Sequence, residues 1–169
     1  MTERELRNLQ VYIGKRSQGQ SDQQVIDHIN GINGRTPLTQ EEWHKLLIPS
    51  CNNGHIEILR YVLSNIQSLD NVKEYMTHTV SGRNVRLSAN RIEVLKELIK
   101  YVEDNKEECL NETMIHAGWF GDTEIVKFLI ENGADVNYKN QNGLGLSECA
   151  ERADKLFQDG LLKEYLAQR

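Results

Sequence analysis

Residues 117–137, which read AGWFGDTEIVKFLIENGADVN, constrain the fold of this chain more than any other stretch. A turn at Gly121 and Asp122 precedes an apolar run, and Gly133 follows it. Glycine accepts the left-handed backbone conformation in which many helices end, so Gly133 predicts a helix stop. The spacing of the apolar residues predicts one amphipathic helix whose inward face carries Ile125, Val126, Leu129 and Ile130.

Similar segments recur along the chain at a nearly constant distance. Equivalent acidic or amide residues stand at Gln24, Glu57, Glu93 and Glu124, separated by 33, 36 and 31 residues. A period near 33 residues is typical of stacked helical repeats. One such unit cannot bury its apolar face alone, so stability must come from the interfaces between neighbouring units.

The string G-D-x-E-I-V-K-x-L-I-x-N-G-A-D-V-N, which begins at Gly121, resembles the second half of an ankyrin repeat in identity and spacing. The resemblance implies an all-α ankyrin-repeat solenoid of stacked antiparallel helix pairs, forming a single domain over residues 1–169. Only residues 132–137 keep the G-A-D-V-N hairpin finger, so we expect the other fingers to be short or degenerate. The predicted units are degenerate capping repeats at 1–33 and 139–169 and repeats at 39–66, 70–103 and 111–138.

Capping signals place several helix ends. Thr2 with Glu5, and Thr39 with Glu42, have the spacing of capping boxes and predict helix starts. A helix that begins after residue 21 or 22 should stop at residues 30–31, an asparagine–glycine pair. Asp70 should cap a later helix.

Residues 34–38 read GRTPL and resemble the opening of an ankyrin repeat. The next glycine turn, at Gly54, comes 18 residues after Thr36, about twice the distance usual in the family. Either this repeat carries an insertion, or the segment is a turn into a longer helix. That helix should hold Trp43 in the core and should kink or stop early at Pro49, because proline cannot donate a backbone hydrogen bond.

Composition excludes some classes of function. The net charge of -5 gives no basic bias, so nucleic acid is not the expected partner. No apolar run approaches the length of a membrane span. An odd count of three cysteines argues against a disulfide framework, and residues 1–10 lack the apolar core of a secretory signal. We therefore expect a cytoplasmic protein, of the source cell or of a host cell.

Two cysteine–histidine pairs could carry chemistry. Cys51 and His55 are four residues apart, a spacing that allows metal ligation, but no second pair accompanies them. In the ankyrin register Cys51 takes a small inward position. Cys109 and His116 could act as nucleophile and base, but they lie seven residues apart across a predicted helix start. We therefore expect no catalytic, cofactor or metal site.

The resemblance places a binding surface on the fingers and the exposed ends of the first helices. Trp119 and Phe120 precede the glycine turn of the best-preserved repeat, where an exposed aromatic pair is typical of an interface anchor. The alternative is that both rings pack beneath the last repeat or beneath the 103–111 loop. The other candidates on this surface are Asn52, Asn53, Tyr138, Gln141, Asn142 and Leu144.

The sequence thus predicts a non-catalytic interaction module that binds another protein, as a monomer or with weak self-association. One alternative is a bacterial effector that binds a host protein. The other is an enzyme, or a subunit regulating one, that uses the cysteines and histidines.

Overall fold

The computed structural model describes residues 1–15, 20–52, 54–81, 87–158 and 160–169. Within these residues the chain forms ten α-helices and no strand. The helices are α1 (Glu3–Lys15), α2 (Asp22–Arg35), α3 (Gln40–Asn52), α4 (Ile56–Leu63), α5 (Val72–Val80), α6 (Ser88–Ile99), α7 (Lys106–Trp119), α8 (Thr123–Glu131), α9 (Leu146–Phe157) and α10 (Leu161–Ala167).

The helices pack as five successive pairs in two layers. The odd-numbered helices α1 to α9 contact one another in sequence and form one layer, and the even-numbered helices α2 to α10 form the other. Each helix therefore meets its own partner and the equivalent helices of neighbouring pairs, as in a solenoid. The predicted all-α stack of helix pairs is confirmed, while the division into repeats at the stated boundaries stays a prediction.

The core is the apolar seam between the layers. Leu46, Leu59, Leu95 and Met114, one from each of four helices, are fully buried. The predicted face of α8 is also inward, since Ile125, Val126 and Leu129 are fully buried, while Ile130 is half-buried. Trp43 is 3% exposed, which confirms the prediction that it belongs to the core.

Both predicted capping boxes are present. The backbone N–H of Thr2 donates to Glu5 at 2.8 Å, and that of Thr39 donates to Glu42 at 2.9 Å. The predicted cap at Asp70 is wrong, because α5 begins after Asn71, whose φ of 56° is left-handed. Asn105 precedes α7 in the same conformation.

Helix α2 does not stop at residues 30–31 as predicted but continues to Arg35. It ends where Pro37 disfavours helical geometry for the preceding residue, and Thr36 is accordingly extended at φ -140° and ψ 97°. The backbone N–H of Leu38 donates to the Asn33 side chain at 2.8 Å, which closes the turn into α3. Gly34 and Arg35 therefore end α2, and residues 36–38 form the turn that leads into α3.

Pro49 does not end α3, which continues to Asn52. Proline lacks the N–H that would bond the carbonyl four residues earlier, so the carbonyl of Lys45 needs another donor. Gln10 of α1 supplies it, its side-chain amide donating to that carbonyl at 2.8 Å. A side chain of the neighbouring helix pair thus supplies the hydrogen bond that the proline cannot donate.

Candidate partner-binding surface

The turn between α7 and α8 presents Trp119 at the end of α7 and Phe120 next to it. The Trp119 side chain is 38% exposed, and Phe120 is half-buried. Arg152 of α9 lies over the indole, with its guanidinium carbon 3.8 Å from the ring centroid. The same guanidinium donates a hydrogen bond to the Trp119 backbone carbonyl. The last repeat therefore covers one face of the ring and leaves the rest open.

The finger after α8 is fixed to α7 by two side chains. The backbone N–H of Asp135 donates to the amide oxygen of Asn111, which is 4% exposed, at 2.7 Å. The Tyr138 hydroxyl donates to Glu112 at 2.5 Å. This hydrogen bond, together with burial and the carboxylate charge, raises the pKa of Tyr138 to about 12. Tyr138 thus serves first to hold the finger against α7.

The finger tip is closed by its own polar groups. The Asn140 side-chain oxygen accepts from the backbone N–H groups of Asn142 and Leu144 at 3.0 and 3.1 Å. Gln141 and Asn142 are exposed, and Leu144 is half-buried against the core. The tip therefore offers polar side chains at its outer end and an apolar one at its base.

Glu148 of α9 closes the base of the finger, where Lys139 and Gly145 form an antiparallel bridge. Its carboxylate accepts from the Lys139 ammonium and the Gly145 backbone N–H, both at 2.9 Å. The hydrogen bond from Lys139, followed by those from backbone N–H groups, lowers the pKa of Glu148 to about 2.

Asn52 lies apart from the aromatic turn. It is the last residue of α3, and α5 packs between α3 and α7. Its backbone carbonyl accepts from the buried Arg91 of α6 at 3.2 Å, and its side chain is half-buried. Asn53 lies outside the described residues.

Cys51 and His55 face different neighbours. Cys51 is fully buried beside Thr79 of α5, and burial raises its pKa to about 12. The His55 Nδ1 lies 3.9 Å from the Asp22 carboxylate of α2, which belongs to the preceding helix pair, whereas α5 belongs to the following one. A thiol with this pKa is protonated at neutral pH and is a poor nucleophile in this state.

Cys109 and His116 both lie within α7, which begins at Lys106, so no helix start separates them. Seven residues of helix put them about 10 Å apart along the axis, too far for a hydrogen bond. Cys109 is buried, whereas His116 is exposed. Within the part of the chain that the structure describes, no group of three or more metal-binding side chains is found.

Sequence reasoning missed the residues that hold this surface in place, namely Asn111, Glu112 and Arg152. Arg152 stands 33 residues from Trp119, and Glu112 stands 26 residues from Tyr138. Each of these residues lies far along the chain from the residue that it contacts. No local sequence pattern therefore predicts the contact. The repeat period is the one available signal, since it predicts which segments become neighbours.

Comparison with known proteins supplies the family. The family model described as "Ankyrin repeats (3 copies)" matches residues 47–140. No curated protein and no solved structure matches the chain. No helix among the described residues combines the length and the apolar character that crossing a membrane requires. The match covers more than half of the chain and agrees with the stacked helix pairs, so the chain belongs to the ankyrin-repeat family.

Proposed function

We propose that the chain is a non-catalytic module that binds a partner protein through the surface around Trp119, Phe120 and the finger at 138–144. Ankyrin repeats are in general protein–protein interaction modules. The observation that carries the proposal is that Trp119 is 38% exposed and yet held by Arg152 at 3.8 Å. Aromatic side chains dominate binding energy at interfaces, and a ring already held in one orientation loses little entropy on binding.

The finger supports the same proposal. Tyr138 is held by Glu112, and the tip is closed by Asn140, so the polar side chains of Gln141 and Asn142 project from a fixed loop. A fixed loop and a fixed aromatic ring need little rearrangement to bind a partner that reaches both. Asn52 and Asn53 belong to a separate part of the proposed surface. We further propose that the protein acts as a monomer in the cytoplasm, either of its own cell or, as a delivered effector, of a host cell.

Affinity capture with two matched double variants tests the proposal. Trp119→Ala with Phe120→Ala removes the proposed anchor, and Val11→Ala with Tyr12→Ala removes an adjacent exposed and half-buried pair from α1, in the first helix pair of the stack. For a captured partner, the first pair should weaken binding by about thirtyfold, the effect of losing one interface hot spot. The control pair should leave the affinity unchanged. Equal retention of the partner by both variants would refute the proposed surface.

A further inference from the structure

A concave feature lies between the turns at 64–71 and 100–105, at the opposite end of α7 from Trp119. This groove has a volume of 580 Å³. Its floor is apolar, formed by the buried side chains of Leu63, Val72 and Cys109 and by the half-buried Val102. Tyr101, at 40% exposure one of the most exposed large apolar residues described, stands at its edge.

The rim of the groove is acidic. Its charged residues are Asp70, Glu103, Asp104 and Glu108 against the single base Lys73, a net charge of -3 in a chain whose total is -5. Lys73 and Glu108 neutralise each other at 2.9 Å. The other three carboxylates are exposed and form no ion pair within the described residues. Negative charge is therefore concentrated around a groove that also has an apolar floor.

We propose that this groove binds a basic peptide segment of a partner, in which lysine or arginine flanks one apolar side chain. The apolar side chain fits the floor, and the flanking cations meet Asp70, Glu103 and Asp104. The Tyr101 ring adds a face on which a guanidinium can stack. Nucleic acids and anionic membranes are repelled by the same rim. The inference rests on the proposed function and specifies the partner chemistry for a second part of that interaction surface.

Fluorescence anisotropy of labelled peptides with the full chain tests the proposal. The probes are fluorescein-labelled KRLRK, the acidic peptide EDLDE and the apolar-deleted peptide KRGRK. KRLRK should bind saturably and weaken as salt rises, because the exposed charges are screened. EDLDE should not bind, and KRGRK should bind more weakly than KRLRK. Absence of saturable KRLRK binding, or equal binding of KRLRK and EDLDE, overturns the proposal.

Two triple variants of equal charge separate the groove from the general acidity of the chain. The groove variant is Asp70→Asn, Glu103→Gln and Asp104→Asn. The control is Glu57→Gln, Glu93→Gln and Glu124→Gln, on the outer helices α4, α6 and α8. The groove variant should bind KRLRK about tenfold more weakly, since each exposed ion pair changes an equilibrium by about two- to threefold. The control should change affinity by less than about twofold. Equal losses in both overturn the proposal.

Cys109 provides a readout of position, because it lies in the groove floor and is 8% exposed, whereas Cys51 and Cys149 are fully buried. KRLRK should slow alkylation of Cys109, and an unchanged rate at saturating peptide would contradict binding in the groove.

The two proposals can fail independently of each other. If capture depends on Trp119 and Phe120 while the groove variant binds peptide normally, the groove proposal fails and the proposed function stands. If the groove binds the peptide and the Trp119→Ala, Phe120→Ala variant retains its captured partner, the groove proposal stands and the surface proposed around Trp119 fails.

Discussion

Gly54, in the turn between α3 and α4, allows two effects on stability to be separated. One is the cost of a positive φ for alanine, and the other is the close approach of α6. Gly54 has a φ of +70°, and a Cβ added there would lie 2.6 Å from the Asn90 Cβ, 3.0 Å from the Asn90 carbonyl carbon and 3.2 Å from the Arg91 nitrogen. Two of these three atoms are backbone atoms of α6, which cannot move without shifting the helix. Gly54 therefore marks the point where one repeat approaches the next very closely.

The matched control is Gly133, which follows α8 at a φ of +107° and whose added Cβ would meet no atom of the described residues within 4 Å. Alanine at either position adopts a disfavoured backbone conformation, which costs about 1–2 kcal/mol. Alanine at Gly54 also overpacks the interface between α4 and α6, which adds about 1–3 kcal/mol. We therefore expect Gly54→Ala to lower the free energy of unfolding by about 2–5 kcal/mol, and Gly133→Ala by about 1–2 kcal/mol.

Urea unfolding followed by circular dichroism at 222 nm measures both changes. The two sites lie in different repeats and share no contact, so the double variant should lose the sum of the two values. Gly133 has the more extreme φ, so a purely conformational effect would make its variant the less stable one. If Gly133→Ala costs as much as Gly54→Ala, or more, the close approach to α6 is not what requires glycine at residue 54.

Three further predictions test other contacts. Asp122→Ala should cost about 2–3 kcal/mol, because the buried carboxylate caps α8 and accepts from the Ser88 hydroxyl at 2.8 Å; in a double-mutant cycle with Ser88→Ala, additive losses would contradict this coupling. Arg152→Ala should raise quenching of Trp119 fluorescence by the neutral quencher acrylamide, since the other tryptophan is buried, and unchanged quenching would show that the guanidinium does not cover the ring. Tyr138 should ionise near pH 12 in the folded protein against about 10 when unfolded, so its hydrogen bond stabilises the fold below pH 10 and is lost between pH 10 and 12; a tyrosine titration in which Tyr138→Phe removes no late-ionising group would refute this.

Local patterns in the sequence predicted the helices and their starts correctly where the determining contacts are themselves local. The capping boxes at Thr2 and Thr39 each join residues three apart, and the inward face of α8 follows from its apolar spacing. The family resemblance extended these local predictions to a stack, because the repeat period dictates which helices become neighbours.

Part of what the sequence missed depends on contacts between distant residues. Helix α3 continues past Pro49 because Gln10, from another repeat, satisfies the carbonyl that the proline leaves open. Helix α2 is a different case, because it continues past residues 30–31 and ends at the turn before Pro37, which is a local signal. The contact of Arg152 with Trp119 resembles that of Gln10 in joining two repeats, and no local pattern in either segment predicts it.

The groove and the finger show how the loss of a finger from some repeats changes the surface available for binding. In the intact copy, Asn111 and Glu112 hold the finger against α7, and the finger occupies the edge of the stack. The turns at 64–71 and 100–105 carry no such finger, and the space between them stays open as the groove. The stack does not depend on the missing fingers, because its interfaces are made by buried residues of the helices, such as Leu98 and Met114. On the groove rim, Asp70, Glu103 and Asp104 are exposed and form no ion pair within the described residues, so they take no part in that packing. The basic partner segment proposed above uses these three carboxylates.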